Sequence, residues 1–167
     1  SLGMAMDCFN LANQFAKQPL FTVHKFSHNG LAVTTPYGEL SVDGDLASAD
    51  NADLVILPAI GAQVQQVIDS NPELLAWLAQ HQDKKMASVC SAAFLLATAG
   101  LLNGHRATTH WHLAENFRRH FPRVRLEIEQ LMTHDGTRFC SGGGQAGIDL
   151  CLYLIQLYGG DWLARQV

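Results

Sequence analysis

Cys90 and His110 are the two residues of this chain whose types could together carry covalent chemistry. A thiol becomes a strong nucleophile when it loses its proton, and a nearby imidazole favours that loss. Cys90 follows the short strand predicted for Lys85–Val89 and precedes an apolar helix, which is the arrangement of a nucleophile elbow. The backbone N–H of Ser91 and an amide near Gly61 would then be the donors that stabilise an oxyanion.

The same residues also have a purely structural interpretation. Cys90 could be a small buried side chain, and His110 a histidine with satisfied hydrogen bonds. His110 and His112 could share a strand face as metal ligands, but a zinc site needs at least three protein ligands and no third is evident. We therefore predict neither a metal nor a cofactor. Asp149 near a helix start is interpreted as structural, and Trp111 as a core or dimer-interface residue.

The elements that would position such a site are those of an α/β domain. Apolar residues at three- and four-residue steps predict a helix over residues 2–17. The apolar run Ala52–Pro58 is typical of a parallel strand covered on both faces, and Gln145–Tyr158 is typical of a central helix. Alternating strands and helices predict a layered α/β fold with a mainly parallel sheet. Sites in such sheets lie at the carboxyl ends of strands, where Gly61 and Cys90 fall.

Shorter elements are predicted from local patterns. Phe21–Phe26 alternates with period two, which indicates a strand. Asp43-Gly44 is a tight-turn pair, which predicts a hairpin over Glu39–Leu46. His112–Phe121 places its apolar residues on one helix face, and Pro122 ends that helix.

Composition restricts the class of protein. With 167 residues, 48% of them apolar and 16% charged, the chain is predicted to form one globular domain. Its four cysteines lack CxxC spacing, which favours a reducing, cytoplasmic setting, and no apolar run is long enough to predict a membrane partner. The net charge of −4 argues against a nucleic-acid-binding surface. A solvated helix face is the interpretation of the dense basic stretch Arg118, Arg119, His120, Arg123 and Arg125.

Several segments carry a family resemblance: Ser88–Phe94, Ala99–Gly104, Arg106–Trp111, Phe121–Val124 and Ala146–Leu150. They resemble the ThiJ/PfpI branch of the class I glutamine amidotransferase-like superfamily, and most of all the N-terminal domain of AraC-type transcriptional regulators. The resemblance covers nearly the whole chain. It implies a flavodoxin-like α/β sandwich and a homodimer, with the elbow cysteine on Cys90 and its partner histidine on His110.

The resemblance also implies how the protein is organised. Residues 1–167 would form a single sensory and dimerisation domain, and a helix-turn-helix domain is expected beyond Val167. DNA would be bound only through that further domain. An unknown small-molecule effector would be the ligand, held by Gly61, Ser91, Cys90 and His110.

The chain departs from the family pattern at three places. Family members begin with a strand, whereas this sequence starts in the first helix, so the first strand is expected to be missing from it. The acidic residue that enzymes of the family place beside the cysteine falls on Ser1, and Pro58–Gly61 replaces a Gly-Gly pair. These departures favour a regulatory domain in which Cys90 and His110 are vestigial catalytic residues.

Two alternative functions are left open. The Cys90–His110 pair could serve a stand-alone hydrolase, or an isonitrile hydratase-like or glyoxalase-like lyase, if Asp7 or Glu39 supplied the acid. Alternatively, a thiolate at a helix N-terminus oxidises readily, so Cys90 could act as a redox or electrophile sensor without turnover. The regulatory domain is the preferred prediction, and the enzyme is the first alternative.

Overall fold

A sheet with helices on both faces is the framework of the computed structural model, which describes residues 1–167. The chain forms seven α-helices and eight strands. In chain order they are α1 (Leu2–Phe15), β1 (Val33–Thr35), β2 (Gly38–Leu40), β3 (Leu54–Leu57), α2 (Val64–Ser70), α3 (Pro72–Gln80), β4 (Lys85–Val89), α4 (Ala93–Thr98), β5 (Arg106–Ala107), α5 (Ala114–His120), β6 (Arg125–Leu126), β7 (Met132–Asp135), β8 (Arg138–Ser141), α6 (Ala146–Gly159) and α7 (Asp161–Gln166). Short 3₁₀ helices lie at Ala47–Asn51, Cys90–Ala92 and Trp111–Leu113.

The central sheet has the strand order β3-β4-β8-β7. β3, β4 and β8 are parallel, and β7 runs antiparallel to β8. β1 and β2 form a separate antiparallel hairpin, while β5 and β6 form a short parallel pair. The predicted α/β fold with a mainly parallel sheet is therefore confirmed. None of the helices combines the length and the apolar character needed to cross a bilayer.

The core has two layers because successive strand residues point to opposite faces of the sheet. On one face, Met86 and Cys140 pack with α2, α3, α4 and α5. On the other face, Ala87, Val89 and Phe139 pack with α1, α6 and α7. β4 is buried on both faces, which explains why its sequence is apolar or small throughout after Lys85.

The predicted strand over Phe21–Phe26 is wrong, although the alternation that suggested it is real. Phe21 and Val23 turn inward and pack against the layer that contains α1 and α6. Within residues 1–167 the segment forms only an isolated bridge, between Phe26 and Gly44, and no strand pairs with it. Alternate side chains are thus buried in this extended segment although it does not pair with a neighbouring strand.

The predicted hairpin over Glu39–Leu46 is also misplaced. The hairpin turn lies between Thr35 and Gly38, so it joins β1 to β2. Asp43 is used differently: its N–H donates to the Lys25 carbonyl, and its carboxylate accepts from the Lys25 N–H at 2.8 Å. Asp43-Gly44 therefore anchors the extended segment before β1 rather than reversing the chain.

The guanidinium of Arg138 joins both ends of the unit formed by β4 and α4. Arg138 is only 3% exposed; its Nε donates to the Leu101 carbonyl beyond α4, and its Nη1 to the Lys84 carbonyl before β4, each at 2.8 Å. Its Nη2 donates to the Gln82 carbonyl. Burial lowers the pKa of Arg138, and the three carbonyls supply the partners that a buried charge requires.

Candidate functional site

Cys90 lies between β4 and α4, in a turn that we call the Cys90 turn (Val89–Ser91). With φ +57°, Cys90 is the one residue other than glycine in the chain with a positive φ. This left-handed conformation costs an L residue roughly 1–3 kcal/mol, and such residues concentrate at functional sites. Cys90 is half-buried, whereas Cys8, Cys140 and Cys151 are buried. Cys90 therefore carries the most accessible thiol of the chain.

Two hydrogen bonds fix the Cys90 turn to its surroundings. Thr109 Oγ1 donates to the Cys90 carbonyl at 2.9 Å, and the Ile60 N–H donates to Ser91 Oγ at 3.0 Å. Thr109 and Ser91 are both buried, where an unmade hydrogen bond is costly. The turn is therefore held between the loop that follows β3 and the segment that leads to His110.

His110 directly follows Thr109 and caps the 3₁₀ helix at Trp111–Leu113. Its Nδ1 accepts from the His112 N–H at 3.2 Å, so the neutral ring carries its proton on Nε2. The ring packs over Gly143, where an added Cβ would overlap its Cδ2 atom. The connection from His110 to the Cys90 turn runs through Thr109, and no hydrogen bond joins the thiol to the ring.

The loop after β3 is held to the Cys90 turn and to the start of the chain. Gly61 in this loop has φ +81° and is exposed. Besides the Ile60 bond to Ser91, the Ala59 N–H donates to Ser1 Oγ at 2.9 Å. Ser1 thus uses its hydroxyl to hold this loop.

The other residues considered from the sequence lie apart from this arrangement. Asp7 is exposed on α1 and Glu39 is exposed on β2, and neither is hydrogen-bonded to the Cys90 turn. Asp149 is exposed in the first turn of α6, the place where a carboxylate favours the helix dipole. Trp111 is 72% exposed and stacks beside His110 with ring centroids 5.6 Å apart, so the core interpretation of Trp111 is wrong.

Thr109 and Gly143 are the contributions that sequence reasoning missed. The hydroxyl of Thr109 provides the connection to the Cys90 turn. The missing side chain of Gly143 makes room for the ring of His110. The available signals were a threonine directly before the histidine and a glycine run directly before a helix.

Burial separates the other thiols from Cys90 chemically. Desolvation raises the pKa of Cys151 to about 12, and it also raises the pKa of Cys8 and Cys140. These three side chains stay protonated at neutral pH and are poor nucleophiles.

An open groove lies away from the Cys90 turn, and metal-ligating side chains do not cluster anywhere in the chain. No group of three or more histidine, cysteine, aspartate or glutamate side chains is arranged to hold a metal ion. An open groove of about 410 Å³ lies between β7, α6 and α7, and Met132, Tyr153 and Arg165 are among the residues that line it. The groove includes no residue of the Cys90 turn and does not include His110.

A doubly wound α/β sandwich with a cysteine at the turn after a central parallel strand defines a recognisable class of protein. The chain belongs to the DJ-1/PfpI family, whose sequence model matches residues 7–157. The resemblance to ThiJ/PfpI proteins is thereby confirmed.

Curated relatives are mainly transcriptional regulators. The HTH-type transcriptional regulator GbdR of Pseudomonas aeruginosa is 30% identical over 156 residues, which are 93% of this chain and 42% of the relative. CdhR, an HTH-type regulator of the same species, is 32% identical over 98% of this chain and 48% of its own length. Isonitrile hydratase of Pseudomonas putida is 38% identical over 45% of this chain and 32% of its own length. The chain thus spans less than half the length of these regulators.

Solved structures agree with the fold. An AraC family transcriptional regulator from Pseudomonas putida superimposes with a TM-score of 0.81 at 23% identity, over 99% of this chain and 88% of the other. DJ-1beta of Drosophila melanogaster gives a TM-score of 0.80 at 18% identity, over 99% and 86% of the two chains. At these identities the likeness establishes the fold alone.

Proposed function

We propose that this chain is the effector-sensing and dimerisation domain of an AraC-type, DNA-binding transcriptional regulator of the cytoplasm. The observation that carries the proposal is the pattern of coverage. GbdR and CdhR match this chain over 93% and 98% of its length, but the match covers only 42% and 48% of their own length. The remainder of such a regulator would hold the helix-turn-helix part, and DNA would be bound there.

In this proposal the Cys90 turn is an inherited nucleophile elbow, and Cys90, Ser91, Gly61 and His110 form the effector site. The positive φ of Cys90 supports this assignment, because nucleophile elbows are strained in this way. So does its half-buried thiol, which a ligand can reach. The residues at this end of the sheet are held together by the hydrogen bonds of Thr109 and Ser91.

Binding without turnover is favoured because no carboxylate of residues 1–167 is hydrogen-bonded to the Cys90 turn. The family resemblance implies an acid at the position of Ser1, whose hydroxyl instead accepts from the Ala59 N–H. The His110 ring makes no hydrogen bond to the thiol, so the pair is not assembled for proton transfer in this structure. The pair Cys90–His110 can still bind a polar or electrophilic group, which suits a sensor.

The direct test is the gene sequence that follows Val167. Two helix-turn-helix units are expected there, and a stop codon directly after Val167 would contradict the proposal. Sedimentation equilibrium of the chain tests the dimerisation role separately: a homodimer at micromolar concentration is expected. A monomer at all accessible concentrations would remove dimerisation from the function of this domain.

An enzyme is the second candidate, favoured by the strained Cys90 and by the partial match to isonitrile hydratase. Turnover should then be measurable with isonitriles or methylglyoxal and should vanish in Cys90→Ser. Cys140→Ser is the matched control, because Cys140 is buried in the core away from solvent. Absence of turnover in the unaltered protein counts against this candidate.

A redox or electrophile sensor is the third candidate, favoured because Cys90 alone among the four cysteines is not fully buried. Its thiol should then react with peroxide or with a disulfide reagent faster than free cysteine does at pH 7. A rate equal to or below that of free cysteine eliminates this candidate.

A further inference from the structure

Four arginines form a concentrated positive region at the end of α5. The arginine cluster, as we call it, comprises Arg118, Arg119, Arg123 and Arg125, all of them exposed. No aspartate or glutamate occurs between residues 116 and 126. Since the whole chain carries a net charge of −4, the residues outside the cluster carry −8. Positive charge is therefore strongly localised on an otherwise acidic protein.

No residue of the arginine cluster takes part in an ion pair, although Glu115 lies in the first turn of α5 and the charge of Arg125 adds to the hydrogen bonds of Arg106 in lowering the pKa of Glu127 and Asp135. The ion pairs of the structure join Arg106 to Glu127, His105 to Asp135 and His81 to Asp50, and none of them includes a cluster residue. Glu127, the nearest carboxylate in the following strand region, is occupied by both Nε and Nη2 of Arg106.

Within the cluster, three guanidinium groups are free. Arg125 donates to the Gly104 carbonyl, which fixes its position, whereas Arg118, Arg119 and Arg123 donate to no protein acceptor. The location of Arg118 and Arg119 in the last turn of α5 complements the helix dipole. Arg123 and Arg125 lie beyond the helix, so the dipole accounts for only half of the cluster.

The cluster stands on a rigid support. Phe117 and Phe121 on the inner side of α5 pack against Phe94 of α4, with ring centroids 5.0 and 5.8 Å apart, and against each other at 4.9 Å. Phe117 is fully buried. Because these aromatic contacts hold the end of α5, the arginines are presented from a fixed position rather than from a flexible tail.

The segment 112–130 that carries the cluster has no large exposed apolar side chain, although Trp111 and Leu131 at its two ends are exposed. Interfaces between proteins have a core depleted of charge and enriched in apolar and aromatic residues. Planar guanidinium groups instead present donors that match the oxygens of phosphate.

We propose that the arginine cluster binds the phosphate backbone of duplex DNA without reading its sequence. The inference rests on the proposed function, because a DNA-binding part in the same regulator would hold this domain close to DNA and raise the local phosphate concentration. It revises the expectation that DNA is contacted only through a further domain. The overall charge of −4 does not prevent binding, since charges beyond about 10 Å are largely screened at 0.1 M salt.

Salt dependence of DNA binding by the chain itself tests this inference. A fluorescent 30-base-pair duplex of arbitrary sequence is titrated with residues 1–167, and anisotropy is followed at sodium chloride concentrations from 20 to 200 mM. Each neutralised phosphate contributes about −0.9 to the slope of log Kobs against log salt, so four contacts predict a slope of about −3.5. Affinity should accordingly fall roughly 100-fold between 50 and 200 mM.

Charge-matched variants locate the surface. Arg118→Glu with Arg119→Glu should abolish measurable binding or reduce the slope by about 2. Lys17→Glu with Arg165→Glu changes the net charge equally at exposed positions outside the cluster, and it should retain the original slope. Arg118→Lys with Arg119→Lys keeps the charge and should retain binding. All three variants alter exposed side chains, and unchanged thermal unfolding verifies that they fold.

Three results would overturn the inference. They are no binding by the unaltered chain at 20 mM salt, an equal loss in both charge-reversal variants, and tighter binding to polyglutamate than to DNA of equal charge. The last result would assign the cluster to an acidic protein partner. Operator binding by the longer regulator tests the proposed function independently: if it binds DNA and its salt slope is unchanged by Arg118→Glu with Arg119→Glu, only the present inference fails.

Discussion

The buried Arg138 should determine much of the stability of the unit that carries Cys90. Arg138→Met removes the donors to the carbonyls of Leu101, Lys84 and Gln82 while filling most of the same volume. Each hydrogen bond from a charged donor contributes about 1.5–3 kcal/mol. Part of that is recovered because the methionine needs no polar partner, so we expect a loss of about 4 kcal/mol, within the range for breaking a buried charged network.

Urea denaturation followed by circular dichroism measures this loss directly. For a chain of this length, 4 kcal/mol corresponds to a fall in Tm of about 12 °C. Arg138→Lys replaces the guanidinium by one ammonium, which cannot reach all three carbonyls. We therefore expect this variant to lose about 2 kcal/mol of stability. Arg165→Met is the control, because Arg165 is exposed and should change stability by less than about 0.5 kcal/mol.

A loss below about 1 kcal/mol in Arg138→Met would refute the reasoning. It would mean that the carbonyls of Gln82, Lys84 and Leu101 find other donors or water once the guanidinium is gone. The same variant should also react faster at the Cys90 thiol, because both ends of the β4–α4 unit lose their common anchor. Unchanged thiol reactivity together with a large stability loss would confine the role of Arg138 to folding.

Three further predictions concern the site and its surroundings. Thr109→Val removes the donor to the Cys90 carbonyl, so we expect about 1 kcal/mol less stability and faster reaction of the Cys90 thiol with a chromogenic disulfide reagent. In the native protein at pH 8, that reagent should modify Cys90 and spare Cys151, because burial raises the pKa of Cys151 to about 12. Stability should fall as the pH drops below about 4, because the hydrogen bond from the Arg106 N–H lowers the pKa of Asp135 and the unfolded chain therefore takes up its proton first.

Matched variants make these predictions decisive. Thr109→Ser keeps the hydroxyl and should behave as the unaltered protein; if Thr109→Val does so too, the hydrogen bond does not restrain the turn. Rapid modification of all four thiols in the native state would contradict the burial of three of them. Asp135→Asn should reduce the fall in the free energy of unfolding at acidic pH. An unchanged fall would show that Asp135 does not contribute to it.

The sequence predicts the Cys90 region well because its determinants are local. Lys85–Val89 becomes β4, Cys90 takes the turn, and Gly100 with φ +80° follows the end of α4. Small and apolar residues in a short run favour a buried strand, and glycine is the residue that best adopts the left-handed conformation after a helix. These preferences act within a few residues of one another, so no tertiary information is needed.

Other features depend on partners that are distant in the sequence. Whether Phe21–Phe26 becomes a strand depends on a pairing partner, and no strand of residues 1–167 pairs with it. The role of Thr109 requires knowledge that the Cys90 carbonyl lies 2.9 Å from its hydroxyl. Gly143 can be understood only once His110 is placed above it. The frame of the site is thus readable from the sequence, whereas the contacts that position its side chains are not.

The edge of β3 has a consequence for handling residues 1–167 as a separate polypeptide. Within these residues, Leu54–Leu57 carries no charge, is only partly buried over its first three residues, and has a hydrogen-bonded neighbour on one side alone. Uncharged apolar edge strands are templates for intermolecular pairing, which natural proteins usually block with lysine, proline or a covering segment. We expect concentrated samples of this polypeptide to associate through the edge, and light scattering at increasing concentration would detect the association.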